Sequence, residues 1–210
     1  MRRFSPGAFG SIAVRPPYAE AGQRIGLLGG SFNPPHSGHV AISRIALSRL
    51  GLDRIWWIVT PGNPLKANGG LPSLEARLAL CRSLVADSRI VVTGFEAELG
   101  TAYTAATLGF LRRRHPQVDF VWVMGADCLA DFHRWRQWRD IFKMLPIAVV
   151  DRPGWRLAAS ASIAARTFAM ARRPPSRAST LATARAPAWT LLTGPLSPVS
   201  STALRRQSGR

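Results

Sequence analysis

RIGLLGGSFNPPHSGHVAISRIALSRL, residues 24–50, reads as a strand, a glycine- and proline-rich turn and a helix in direct succession. The run RIGLLG (24–29) is short and almost continuously apolar, the pattern of a strand covered on both faces. Gly29 and Gly30 close it, and the missing side chains let backbone amides approach a ligand, while Pro34 and Pro35 stiffen the loop that follows. Ser37 or Gly38 then leads into a helix beginning near His39. A helix start carries unpaired N–H groups and partial positive charge, which suits phosphate. Two of the chain's four histidines, His36 and His39, stand at that start.

The same alternation continues outward. Further strands are predicted at RIWWIVT (54–60), RIVVTG (89–94), DFVWVM (119–124) and LPIAVVD (145–151), with a weaker one at AWTLL (188–192). Helical periodicity occupies 73–85, 103–114 and 134–143 between them. Strand–helix alternation of this kind predicts an α/β fold, a doubly wound, Rossmann-like parallel sheet with helices on both faces. Segment 156–187 is rich in Ala, Arg, Pro and Ser; its first part reads as a small C-terminal helical part and RRPPSRAST (172–180) as a loop. In such sheets ligands bind beyond the carboxyl ends of the strands, where Gly29 and Gly30 fall.

At 210 residues and 47% hydrophobic composition the chain can bury a sizeable core. No apolar run approaches the roughly 20 residues that span a bilayer, so no membrane partner is expected. Residues 1–23 are interrupted by Pro6, Gly7, Gly10 and Ser11 and read as a poorly ordered extension, leaving 24–210 as the functional domain. Cys81 and Cys128 read as free buried thiols, and the expected address is cytoplasmic. The net charge of +17 brings nucleic acid into consideration. Yet every basic residue except Lys66 and Lys143 is arginine, a skew that resembles coding bias, and no acid follows Asp151. The field is read as concentrating anionic small substrates, with nucleic acid not an expected partner.

Neither GxxxxGK[ST] nor GxGxxG occurs, which excludes the two commonest glycine phosphate motifs. Three readings of the histidine pair stand. Zinc would require further ligands, and His115 and His133 show no convergence with the pair. Each ring could instead bond a backbone group in a tight turn. Alternatively, i and i+3 positions share a face, so both rings could donate to one charged group. Far along the chain, Ser200, Ser201 and Thr202 are good helix caps after Pro198. Arg205 lies one turn further, where its fork suits phosphate.

GGSFNPPHSGH (29–39) resembles the nucleotidylyltransferase signature, in which a glycine-rich turn precedes HxGH. From about Arg24 to Arg205 the chain is similar to the bacterial nicotinate-nucleotide adenylyltransferases. The matching stretches, in order, are PGNPLK (61–66), TAYTAATLGFLRRRHP (101–116), FVWVMGADCLADFHRWRQW (120–138), RPGW (152–155) and SPVSSTALR (197–205). HxGH alone identifies the superfamily; the ordered set is more specific. The resemblance implies transfer of adenylyl from ATP to nicotinate mononucleotide, with Mg²⁺ accompanying ATP and no protein metal ligands. It implies catalytic roles for His36, His39 and Arg205. ATP would be held by Gly29, Gly30, Ser31 and Phe32, by Gly125 and Asp127, and by Ser200, Ser201 and Thr202. The mononucleotide would meet Asn63, Lys66, the helix start at Tyr103 and Thr104, and Trp135 stacked on its ring. Glu75 and Arg77 are read as a structural pair.

Some positions depart from that family. Asn33 stands where Asp is commoner, and NPLK replaces a loop that more often ends in His-Lys or His-Arg. The chain stops five residues after Arg205, so a second copy is a candidate support for that terminus and a homo-oligomer belongs among the partners. The alternatives are another HxGH enzyme, acting on nicotinamide mononucleotide or phosphopantetheine, and a basic nucleic-acid-binding protein that keeps the fold without catalysis.

Overall fold

The structure, a computed structural model, describes residues 15–62 and 71–194. Six strands are formed: β1 (Arg24–Gly30), β2 (Arg54–Val59), β3 (Ile90–Thr93), β4 (Asp119–Gly125), β5 (Ile147–Val150) and β6 (Trp189–Leu192). They make one parallel sheet in the order β3-β2-β1-β4-β5-β6. Each is an apolar run because both faces are covered. Successive residues take opposite sides: Leu27, Trp56 and Trp122 pack into one core cluster, Leu28, Trp57 and Val123 into the other.

The helices divide accordingly. α1 (Ser37–Leu50) and α2 (Leu74–Leu84) cover one face, through Ala46, Leu47, Leu50 and Cys81. α4 (Thr104–Arg114), α5 (Ala126–Ala130) and α6 (Trp138–Met144) cover the other, with α3 (Glu96–Leu99) ahead of them. α7 (Arg156–Ala161) and α8 (Ile163–Thr167) follow β5 and are divided at Ser162, whose hydroxyl accepts from the Ala165 N–H at 3.2 Å. Ser43 fixes α1 to the sheet, because its hydroxyl donates to the His39 carbonyl at 2.9 Å and accepts from the Trp57 indole at 2.7 Å.

The chain leaves β1 for β2 on one side and returns to β4 on the other, so the crevice between the carboxyl ends of β1 and β4 is the topological switch point.

Two expectations need correction. The helix predicted over 134–143 is broken. Phe132–Arg134 form a 3₁₀ turn, Gln137 takes φ 56°, and α6 starts only at Trp138. The half-buried Trp135 ring causes the interruption by packing against Phe132 and Trp122. The loop predicted over 172–180 contains a 3₁₀ segment, Pro175–Thr180, opened by a proline that needs no N–H partner. Of the expected extension, residues 15–23 run against the domain: the Gly22 N–H donates to the Gln117 carbonyl at 2.7 Å, and Ala19 packs on the core.

Candidate active site

The site grows from the end of β1. Gly29 and Gly30 remain in the sheet, opposite Ile58 and Val59. Their missing side chains serve packing: a Cβ on Gly29 would stand 2.5 Å from the Trp122 indole, and one on Gly30 would stand 3.3 Å from the Phe32 ring. Phe32 then turns the chain with φ 46°, left-handed backbone that costs on the order of 1–2 kcal/mol for a side-chain-bearing residue. Its buried ring holds that turn, stacked on Trp57 at 5.0 Å and tilted against His39 at 4.7 Å.

His36 is the N-cap of α1. Its Nδ1 accepts from the Gly38 N–H at 3.1 Å, and the His36 N–H donates to His39 Nδ1 at 3.2 Å. The backbone donors expected to face phosphate at this helix start are therefore partly consumed by the histidines. An Nδ1 that accepts leaves the neutral ring's proton on Nε2. The pair thus exchanges backbone N–H donors for two imidazole donors, with ring centroids 3.9 Å apart. Burial, then the Arg152 guanidinium, hold His36 down to about 4 against a partial offset from Asp127. Burial, then the His36 ring and Arg152, hold His39 down to about 3. Both rings are neutral at pH 7.

Those charge effects bring the ends of β4 and β5 to the same crevice. Asp127 opens α5 directly after Gly125 and pairs with Arg152 Nη1, which follows the end of β5. The second Asp127 oxygen is buried and has no hydrogen-bond partner among the described residues. Arg152 is the charged side chain of this crevice that sequence reading did not single out. The signal was an arginine two residues beyond an apolar strand's carboxyl end, within a quoted RPGW match.

A second group lies around the start of α4. The Tyr103 N–H, expected to receive a carboxylate, donates instead to the Thr101 hydroxyl at 3.1 Å, a two-residue capping turn. The amides open to a ligand are therefore those of Thr104 and Ala105, because the Ala106 and Thr107 N–H groups donate to the Tyr103 carbonyl. The Arg136 guanidinium lies 4.8 Å from the centre of the Tyr103 ring, which brings the Trp135–Gln137 turn beside this helix start. Trp135 meets Trp122 edge-on at 6.2 Å, and Trp122 fills the space over Gly29, so an aromatic wall links the two groups. Beneath them the buried Glu96 accepts from the Thr107 hydroxyl at 2.6 Å and is bonded to Thr60. Arg77 does not reach Glu75; it bonds four backbone carbonyls.

Asn63, Lys66, Ser200, Ser201, Thr202 and Arg205 lie outside the described residues. His115 is remote from the pair, packed against Trp56 and Phe120. Among the described residues no group of three His, Cys, Asp or Glu side chains could hold a metal, and no helix is long and apolar enough to cross a membrane.

A six-stranded Rossmann-like sheet whose switch point carries an HxGH helix cap is the architecture of a nucleotidyltransferase. The cytidylyltransferase-like family model matches residues 27–207. A "Probable nicotinate-nucleotide adenylyltransferase" of Methylorubrum extorquens is 58% identical over 182 residues, covering 87% of this chain and 98% of its own. One of the same name from Agrobacterium fabrum is 54% identical over 181 residues, with coverages of 86% and 97%. The chain belongs to the cytidylyltransferase-like family, in its nicotinate-nucleotide adenylyltransferase branch. Among solved structures, Plasmodium falciparum nicotinic acid mononucleotide adenylyltransferase complexed with NaAD shares the fold. Its TM-score is 0.66 at 18% identity, covering 88% of this chain and 83% of that one.

Proposed function

We propose that the protein joins ATP and nicotinate mononucleotide, giving nicotinate adenine dinucleotide and pyrophosphate. The observation that carries this reading is the pair of neutral rings at the β1–β4 crevice, each with Nδ1 engaged by backbone and Nε2 left to donate. Family membership and the relatives' names support the choice of substrates.

An oxygen of the mononucleotide phosphate attacks the α-phosphorus of ATP. The bond from that phosphorus to the bridging oxygen breaks, and its electron pair leaves with pyrophosphate. No protein nucleophile is needed; alignment and charge stabilisation supply the rate. His36 and His39 donate through Nε2 to ATP phosphate oxygens, and these bonds strengthen as negative charge moves onto the leaving group. The end of β1 at Gly29 and Gly30, the turn at Ser31 and Phe32, and the α5 start at Gly125 and Asp127 take the rest of the nucleotide. Ser200, Ser201, Thr202 and Arg205, outside the described residues, complete the phosphate site in this proposal.

On the other side, the α4 amides of Thr104 and Ala105 receive the nicotinate carboxylate, Tyr103 flanks it, and Trp135 stacks on the pyridine ring. Asn63 and Lys66 meet the mononucleotide phosphate and ribose. The divalent ion, Mg²⁺, travels with the ATP phosphates. The described donor set fits that better than a resident metal, because Asp127 is paired with Arg152 and no group of three His, Cys, Asp or Glu side chains among the described residues could hold an ion. Incubating the protein with ATP and either nicotinate or nicotinamide mononucleotide, and resolving the dinucleotides, tests the reading. Faster product from the acid supports it; product from the amide alone overturns the substrate assignment.

A further inference from the structure

Arg77 is a cation with almost no exposed surface, 1% by area, and no carboxylate within ion-pairing distance among the described residues. Charges are rarely buried in this way, because desolvation costs several kcal/mol unless hydrogen bonds or an opposite charge offset it. Here carbonyls take four of the guanidinium's five N–H donors. Nη1 donates to Ser31 at 2.8 Å and Thr60 at 2.7 Å, Nη2 to Pro61 at 3.3 Å, and Nε to Pro72 at 3.0 Å.

The placement of those carbonyls is specific. Ser31 belongs to the turn between β1 and the histidines. Thr60 and Pro61 follow β2, and Pro72 precedes the Ser73 cap of α2, so one side chain gathers the β1 turn and both ends of the 61–72 segment. Thr60 extends the connection: its hydroxyl donates to Gly62 at 2.8 Å and is bonded to Glu96, which in turn holds Thr107 of α4. A continuous, partly buried polar path therefore runs from the phosphate side to the helix start assigned to the nicotinate carboxylate. Shape alone did not require a charge, since a leucine or methionine would fill the same face of α2 at no desolvation cost.

We propose that Arg77 is a positioning residue for the mononucleotide half of the site: its fork sets the spacing between the histidine-bearing turn and the segment after β2. The inference rests on the two-substrate reaction proposed above. Lysine cannot replace it, because a single ammonium cannot reach carbonyls on both sides of a planar fork.

The test is steady-state kinetics on Arg77→Lys and Arg77→Met, with whichever mononucleotide the wild type turns over, beside Cys81→Ala as a stability control. Cys81 lies one turn along the same buried face of α2 and touches none of these carbonyls. Misplacement of about 1 Å can cost roughly 10²-fold in rate. The expected result is a mononucleotide KM raised roughly ten-fold or more in Arg77→Lys, with a far smaller change in the KM for ATP and a larger loss in Arg77→Met. Cys81→Ala lowers the melting temperature and leaves both KM values in place. Substrate constants unchanged in Arg77→Lys overturn the inference, as does an Arg77→Lys chain that does not fold, which would assign the residue to stability alone. A wild type that makes no dinucleotide overturns the function itself, a result seen before any variant is compared.

Discussion

His36 and His39 cap the same helix turn reciprocally: the His36 N–H donates to the His39 ring, and the His36 ring accepts from the Gly38 N–H. Each imidazole therefore has one nitrogen committed to the fold and one offered to a ligand. The two duties are separable by substitution. His39→Asn retains an oxygen near the Nδ1 position and loses the outer donor, so its melting temperature stays close to wild type while turnover falls roughly 10²–10³-fold. His39→Gln carries an amide toward the Nε2 position, retains more of the turnover and loses the cap, worth about 1 kcal/mol. Thermal melts and rates measured on both proteins check this opposite ordering.

Arg152 sits in the field of both rings. Its charge helps depress His36, whereas Asp127 opposes it. Arg152→Ala removes the depressing charge and leaves the Asp127 carboxylate without its partner, so the His36 pKa moves upward from about 4. Titration of the ring by NMR measures the shift. The same depression fixes the pH dependence of stability. Both rings are harder to protonate folded than unfolded, so stability is full above pH 6.5 and falls as pH drops through the folded values of about 4 and about 3.

Glu96 behaves in the opposite sense. Burial pushes its carboxyl up, against the hydrogen bonds with Thr107 and Thr60, which favour the ionised form. Its stability contribution is present below the unfolded carboxyl pKa and is lost as pH rises through the raised folded value. Glu96→Gln keeps a donor for Thr60 and an acceptor for Thr107 without ionising. The melting temperature of the variant relative to wild type therefore climbs as pH rises above the unfolded carboxyl pKa.

Gly29→Ala drives a methyl group into the Trp122 ring, which stands 2.5 Å from the new atom. Overpacking of this kind costs about 1–3 kcal/mol. Because Trp122 also supports Trp135, the mononucleotide KM rises as well. Urea unfolding and substrate saturation curves report the two effects separately.

The six strands were legible because a doubly covered sheet makes each strand an uninterrupted apolar run, and the same pattern located the crevice. The histidines were legible through spacing, but the consumption of their Nδ1 atoms depends on the torsions of one turn, which composition does not encode. Trp135 breaks a helix that periodicity continued, since a large ring can gain more by packing on Phe132 and Trp122 than by completing a helical turn. Arg77 did leave a trace. Leu74, Arg77 and Cys81 fall three and four residues apart on the buried stripe of α2, where a charge is out of place unless something at the end of the sheet requires it. Pairing it with nearby Glu75 followed sequence distance; the acceptors were distant carbonyls.

The most direct test of the whole account follows the four imidazole nitrogens of His36 and His39 by ¹⁵N NMR at pH 7 while ATP is added. The account predicts that each ring begins with Nδ1 bare and Nε2 protonated, and that the Nε2 signals move saturably with nucleotide while both Nδ1 atoms keep their backbone partners. Rings that titrate near 6.5, or Nε2 signals indifferent to ATP, would contradict it.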